Sequence, residues 1–348
     1  MADNIRVGII GAVSSYSLHY AQALNALPHV DFVGMAYLGR DPKYIRDALN
    51  LPWLTKYPKT IEGYADTFSA PVYESADELI EAGKPDALCI CTEDYLREKY
   101  ALLTVEKGLH VFLPKPFAKS RDEAERVFGA AKDNGVIATP DLPQRFRPLW
   151  ATAMDVVSDG MIGRPISGHF SMAHHLTLGG WKSDTSMAAG PELEVGFYAF
   201  DAMRMLMQTE PVEVRGVGAN LDHRGIPYID NGKCLVTCAN GAMASVDLVL
   251  SMHHPFPPAR SAYVIGDEGA LAIVGNEIEV HTPDGVEKHA VPEWNHTERE
   301  LGAWLDVCRG DGDPVPMQEE GLRTLDFILA YKKSHETGET VFLGEKEA

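Results

Sequence analysis

The chain has 348 residues, which suggests about two domains, and its 45% hydrophobic and 23% charged residues are an ordinary globular balance with material for two cores. With 31 basic and 50 acidic residues the formal net charge is −19, which offers no electrostatic footprint for nucleic acid or for an anionic membrane surface. No apolar run approaches the roughly 18 residues of a membrane span, and Met1-Ala2-Asp3-Asn4 carries no basic leader or cleavage site, so a cytoplasmic protein without a membrane partner is expected.

In chain order, Ile5-Arg6-Val7-Gly8-Ile9-Ile10 predicts a first strand and Leu18 to Leu27 a helix. Val30 to Tyr37, Ala87 to Cys91 and Leu109 to Leu113 are further short apolar runs. Amphipathic stretches at Ala76 to Ala82, Arg97 to Lys107 and Arg121 to Asn134 separate or follow them. Continuous apolar strands joined by helices imply a parallel sheet covered on both faces, the doubly wound dinucleotide-binding (Rossmann) arrangement. Residues 52–72, rich in Tyr, Pro and Thr, are expected to form a long irregular loop near the cofactor edge.

The texture changes after Gln144-Arg145-Phe146-Arg147-Pro148. A helix over Leu149 to Ser158 precedes a strand from Ile166 to about His174, then a helix from Pro191 to Met207. Strands follow at Val212 to Ala219, Cys234 to Ala239, Ala242 to Leu250, Ala262 to Ile265, Leu271 to Val274 and Ile278 to His281, punctuated by hairpin turns such as Asn240-Gly241 and Asp284-Gly285. Helices over Glu298 to Cys308 and Glu319 to Ser334 close the chain. The fold class is α/β. Residues 1–144 form the Rossmann domain, and 145–348 an α+β domain on a large open, mostly antiparallel sheet.

Several residue groups carry chemical potential. The turn after the first strand, Gly11-Ala12-Val13-Ser14-Ser15-Tyr16, keeps only the first glycine of the G-x-G-x-x-G pattern that gives a dinucleotide its tight turn and close backbone approach. Ser14 and Ser15 stand at the helix N-terminus, as phosphate ligands, as a helix cap, or both. Gly39-Arg40 at the tip of the second strand leaves room and charge for a 2′-phosphate and tilts the cofactor toward NADP over NAD. Lys115 lies between Pro114 and Pro116 at a strand end, where backbone φ is restricted and where α/β proteins bind ligands. Glu194, Tyr198 and Asp201 fall at i, i+4 and i+7, on one helix face beside an apolar stripe. The pairs His174-His175 and His253-His254 cannot each chelate one ion locally, because strand neighbours point to opposite faces, and no metal is expected. The five cysteines lack companion ligands and are expected as buried thiols.

The order of these features resembles the glucose-fructose oxidoreductase/inositol dehydrogenase/MocA family over nearly the whole chain. The resemblance is carried by the glycine turn with His19, by Thr92-Glu93-Asp94-Tyr95, and by His110-Val111-Phe112-Leu113-Pro114-Lys115-Pro116. In the second half it is carried by Gly160-Met161-Ile162-Gly163, Trp181, Gly190 through Asp201 and Asp230-Asn231. It implies a two-domain NAD(P)-dependent dehydrogenase acting on sugars, cyclitols or related polyols, with the substrate between nicotinamide and the open sheet. The family's Glu-Lys-Pro motif falls on Pro114-Lys115-Pro116, with a cis bond before Pro116. Its Asp-x-Gly-x-His-x-x-Asp motif falls on Glu194, Gly196, Tyr198 and Asp201, with glutamate for aspartate and tyrosine for histidine.

The implied catalytic residues are Lys115, Tyr198 and Glu194. The implied cofactor residues are Gly11, Val13, Ser14, Ser15, Arg40, Thr92, Lys115, Pro116 and Arg145. Substrate contacts are expected from His174, Trp181 and Asp201. A homodimer or homotetramer is the implied assembly, with a sugar-like small molecule as the partner. The departures at Val13, Pro114, Glu194 and Tyr198 leave two rival readings. One is an accessory member without chemistry; the other is a redox-neutral lyase or epimerase using transient oxidation.

Overall fold

A computed structural model describes residues 4–175, 180–253 and 260–344. The elements in the first part of the chain are β1 (Ile5–Ile10), α1 (Ser15–Ala26), β2 (Val30–Ala36), α2 (Pro42–Ala48), α3 (Ile61–Phe68), β3 (Val72–Tyr73), α4 (Ala76–Glu78), β4 (Ala87–Ile90), α5 (Asp94–Glu106), β5 (His110–Leu113), α6 (Arg121–Asp133) and β6 (Ala138–Pro140). There follow α7 (Pro148–Ser158), β7 (Pro165–Ala173), α8 (Pro191–Met207), β8 (Pro211–Ala219), β9 (Asn231–Cys238), β10 (Met243–Val249) and β11 (Arg260–Gly266). Last come β12 (Ala270–Val274), β13 (Glu277–Thr282), β14 (Gly285–His289), α9 (His296–Cys308), α10 (Val315–Thr337) and β15 (Val341–Phe342).

The chain divides into two compact units. The first comprises Met1–Asp141, Thr177–Ala189 and Thr297–Leu322. Its six strands are parallel in the order β3-β2-β1-β4-β5-β6. The chain winds outward in both directions from β1 and β4, so the crevice at their carboxyl ends is the topological switch point where doubly wound sheets bind ligands. Side-chain oxygens of Ser14, Asp41, Thr60, Ser75 and Ser120 cap the helices that follow them.

One feature departs from the sequence expectation. Residues 52–72 contain the two-turn helix α3, which Thr60 starts by accepting from the Gly63 amide and which ends at Ser69 in a left-handed conformation (φ 50°). Its Tyr64 and Phe68 are buried, and an apolar i, i+4 pair of this kind is short enough to be hidden by the flanking prolines. The first unit gathers residues 180–189 and Thr297–Leu322 together with the parallel-sheet part of the chain. Trp181, Leu301, Trp304 and Leu305 join its core, with Trp304 5.2 Å from the Phe112 ring.

The second unit comprises Leu142–Leu176, Gly190–His296 and Arg323–Ala348. Its nine-stranded sheet runs β14-β13-β12-β11-β7-β10-β9-β8-β15, antiparallel except for the β7–β10 pair. Burial alternates along β9 and β10, as a sheet with one covered face requires. The covered face carries α8, whose Phe200 packs against Phe327 and Tyr331 of α10 at 4.6 and 5.4 Å. The other face leaves Val217, Leu235, Met243 and Tyr263 exposed. All five cysteines are free thiols, and burial pushes that of Cys238 up to about 12. Among the described residues, no helix is long and apolar enough to cross a membrane.

Candidate functional site

In the first unit the site starts from Gly11, the residue between β1 and α1. Its φ is +106°, and a Cβ there would stand 2.5 Å from the backbone carbonyl of Cys91, so only glycine lets β1 turn this close to β4. The chain then enters α1, where the Ser17 amide donates to the Ser14 carbonyl. Ser14 is buried and its Oγ accepts from the Tyr16 amide, so this hydroxyl caps the helix. Val13 does not line the turn with its side chain; it is 2% exposed within the core, and its carbonyl accepts the Trp181 indole N–H at 2.9 Å. Ser15 is the first residue of α1 and is half-buried.

At the end of β4, Thr92 is fully buried and its hydroxyl donates to the Glu93 carbonyl. Arg97 locks this strand end. It donates to Asp94 and to the Thr92 carbonyl at 2.8 Å each, and to the Pro116 carbonyl. Asp94 in turn accepts the Ala189 amide at 2.8 Å. Glu93, 1% exposed, pairs with Arg40 at 2.8 Å and accepts the Tyr44 hydroxyl at 3.0 Å. Its second oxygen, Oε2, is buried with no hydrogen-bond partner. Arg40 also donates to Tyr95 Oη, and Glu74 Oε1 lies 3.8 Å from where a Gly39 Cβ would be. The guanidinium expected to meet a 2′-phosphate is therefore already matched with a buried carboxylate.

Lys115 is 4% exposed at the end of β5, and its bond to Pro116 is cis. Its ammonium sits 5.5 Å over the Tyr16 ring, and its backbone N–H donates to Asp141 Oδ2 at 3.2 Å. Asp141 follows β6 directly and also accepts the Tyr20 hydroxyl at 3.1 Å. Burial pushes the Asp141 carboxyl up from its ordinary value, against the opposing pull of hydrogen bonding with Glu300 and of the Lys115 charge. A glutamate is missing at Pro114, yet a carboxylate is still present beside the lysine, reaching it from the neighbouring strand. Asp141 was missed in the sequence, although its place directly after an apolar strand was the same signal that picked out Lys115.

In the second unit the site is built on α8. Gly190, at φ +94°, opens the helix with Pro191 in its first turn. Of the 17 residues of α8, only Glu194 and Tyr198 are not buried. Their i, i+4 spacing puts them on one face as an acid and a phenol at the edge of an otherwise enclosed helix. The Arg147 guanidinium lies 4.8 Å over the Tyr198 ring. Asp201 shares that face in projection but lies deeper and is 1% exposed. It accepts from Arg145 Nη2 at 2.8 Å and Nε at 3.1 Å, and from Thr324 Oγ1 at 3.0 Å, with Arg204 at 3.8 Å. Arg145 and Asp201, expected at cofactor and substrate respectively, thus meet each other. His174 is half-buried and its Nδ1 lies 2.8 Å from the His175 carbonyl. His254 lies outside the described residues.

The donor set of the first unit fits a dinucleotide. It has a glycine turn at the switch point, a capped helix N-terminus for a pyrophosphate and a buried, unsatisfied carboxylate oxygen suited to a ribose hydroxyl.

Residues 5–142 match a family model described as an oxidoreductase family with an NAD-binding Rossmann fold, and residues 150–272 match a Gfo/Idh/MocA C-terminal domain. Among curated relatives, 1,5-anhydro-D-fructose reductase of Ensifer adhaerens is 24% identical over 280 residues, 76% of this chain and 82% of that protein. The scyllo-inositol 2-dehydrogenase (NAD(+)) of Bacillus subtilis is 23% identical over 285 residues, 79% of this chain and 82% of that one. Among solved structures, aldose-aldose oxidoreductase from Caulobacter crescentus complexed with glycerol superposes with a TM-score of 0.81 at 19% identity, covering 98% of this chain and 100% of that one. The 3-2-1-4-5-6 parallel sheet of the first unit agrees with the Rossmann description, the two family models together span most of the chain, and the chain belongs to the Gfo/Idh/MocA family of NAD(P)-dependent oxidoreductases.

Proposed function

We propose that the protein interconverts a secondary alcohol of a sugar, cyclitol or related polyol and the corresponding ketone, with Tyr198 as the acid/base. The observation that carries this reading is the exposure of Glu194 and Tyr198 alone along a buried helix. A bound nicotinamide supplies the acceptor or donor of the hydride. Tyr198 takes the hydroxyl proton, and the Arg147 cation over its ring stabilises the negative charge on the phenol oxygen. Glu194, one helical turn before Tyr198, orients a neighbouring hydroxyl, and Lys115 of the first unit is proposed as a further catalytic residue. Relatives named for 1,5-anhydro-D-fructose and for scyllo-inositol support a polyol substrate.

For the cofactor, Gly11, Ser15 and the α1 amides would hold the pyrophosphate, and Glu93 the adenosine ribose. The Arg40–Glu93 pair supports NAD, beside the leaning toward NADP drawn from Gly39-Arg40. The test is calorimetric titration with NAD and NADP, then a panel of sugars and cyclitols read at the nicotinamide absorbance. Binding of NAD in preference to NADP with turnover of a polyol is expected. Failure to bind either dinucleotide would leave an accessory role, and product formed without net absorbance change would indicate the redox-neutral chemistry instead.

A further inference from the structure

The second unit carries a cluster of histidines that the proposed reaction does not use. His175 follows β7 and bridges to Ser251 across the sheet; His253 lies two residues beyond Ser251; Asp222 and His223 lie on the loop between β8 and β9. One ligand atom from each of His175, Asp222 and His223 lies within 4.8 Å of the others. His253 Nε2 lies 2.7 Å from Asp222 Oδ2, and the His175 ring is 4.7 Å from that of His253 and 5.2 Å from that of His223. His175 meets His253 because β7 and β10 are neighbours.

The loop is held in shape by groups behind it. Asp230, 1% exposed, accepts the amides of Leu221, Asp222 and His223 at 2.8 Å each and faces His223 Nδ1 at 3.1 Å. Asn220 Nδ2 donates to the carbonyls of His223, Ile226 and Tyr228 at 2.9, 2.6 and 2.7 Å. A carboxylate on Nδ1 fixes the tautomer with the proton there and leaves the lone pair on Nε2. That Nε2 is buried and has no hydrogen-bond partner. A histidine oriented by a buried carboxylate, with its other nitrogen sealed from water and unsatisfied, has the arrangement of a metal ligand rather than of a solvated surface histidine.

We propose that His175, Asp222, His223 and His253 form a binding site for a divalent transition ion of the Zn2+ class, with Asp230 positioning His223. Three imidazoles and one carboxylate suit zinc, cobalt or nickel and not calcium or magnesium, which take oxygen cages. Tetrahedral coordination needs ligand atoms about 3.4 Å apart, so an ion would draw these atoms together from within 4.8 Å. The ion would tie the ends of β7 and β10 to the β8–β9 loop. That loop reaches the start of α8, since a Cβ on Gly190 would come within 3.3 Å of the Tyr228 ring. Ion binding therefore stiffens the support of the helix that carries Glu194 and Tyr198.

The test uses the full chain, freed of metal with a chelator, titrated with Zn2+ alone in a calorimeter and with Co2+ alone in a visible spectrometer. One saturable ion per chain, four-coordinate Co2+ bands and a raised melting temperature are expected. The variant His175→Gln/His253→Gln changes only exposed side chains and should lose the stoichiometric binding and the bands. Asp230→Asn should weaken the ion about 10–100-fold. His281→Gln, elsewhere on the sheet, serves as the control for adventitious binding and should bind as the wild type does. Absence of saturable binding, or equal binding by His175→Gln/His253→Gln, would overturn the site. None of these readouts depends on turnover.

Discussion

Replacing Tyr198 by Phe removes one oxygen from a helix position whose ring environment is retained. The ring stays under the Arg147 guanidinium, because a cation binds the face of Phe as it does that of Tyr. Since Tyr198 is half-buried and not enclosed, loss of the hydroxyl should change stability by no more than about 0.5 kcal/mol. Dinucleotide affinity should also hold, as the groups assigned to the cofactor lie in the parallel-sheet unit. Turnover should not. A positioned acid/base contributes about 10²–10⁴-fold, which at 1.36 kcal/mol per decade is about 2.7–5.4 kcal/mol of activation free energy. The assay is kcat/KM on whichever polyol the panel identifies, beside dinucleotide titration and thermal melting of the same preparation. A fall in kcat with cofactor affinity and melting unchanged is expected. If Tyr198→Phe turns over within about threefold of the wild type, the proton goes to another group and the reading of α8 is refuted. A collapse of all three readouts together would equally refute it, since the residue would then be structural.

Asp201→Asn should destabilise the second unit by about 3 kcal/mol in denaturant unfolding, because Arg145 and Arg204 lose a buried counter-charge. Its KM should be unchanged if the residue does not touch substrate. Gly11→Ala should cost about 3 kcal/mol and weaken NAD, through both the +106° backbone and the 2.5 Å approach to Cys91. Glu93→Gln releases Arg40 and should shift preference toward NADP by about tenfold, or 1.4 kcal/mol, in competitive titration. Asp141 has its carboxyl raised by burial, so its proton stabilises the fold fully below the ordinary carboxylate range and that contribution is lost as pH rises through the folded value. Stability of the wild type relative to Asp141→Asn should accordingly fall as pH rises above about 4; a flat difference would show that Asp141 keeps an ordinary carboxyl.

The parallel sheet was legible because buried strands are largely continuous apolar runs, as β1, β4 and β5 are apart from Arg6, Gly8 and His110. Helix α8 was legible to the residue from Gly190-Pro191 at its start, and the mixed second sheet from its turns. Depth along α8 was not. Periodicity gives the angle around a helix and says nothing of what covers each turn, so Glu194, Tyr198 and Asp201 looked alike though only Asp201 is enclosed by Arg145, Arg204 and Thr324. Arg40 posed the same problem in a different form. Its position at the tip of β2 is local information, whereas its partner Glu93 is 53 residues away and meets it only because β2 and β4 flank β1. The grouping of His175 with Asp222, His223 and His253 was hidden for the same reason.

The same distinction bears on the altered lysine motif. A motif names residues adjacent in sequence, but the chemistry depends on charges adjacent in space. Pro114 removes a carboxylate from the residue before Lys115, and the parallel pairing of β5 with β6 places Leu113 opposite Pro140, so the next residue along β6, Asp141, lies beside the lysine's backbone. There it accepts the Lys115 amide and the Tyr20 hydroxyl. The carboxylate is therefore displaced by one strand rather than lost, and Glu300 from α9 supplies a second one to the same buried group. Burial raises the Asp141 carboxyl, while Glu300 and the Lys115 charge draw it back down, so the three groups act on one another. That arrangement permits a charged Lys115 in a site only 4% exposed. On this reasoning Pro114→Glu would not restore an ancestral site. It would place a third carboxylate into a group that already holds its countercharge, and the expected result is a less stable protein with no gain in turnover.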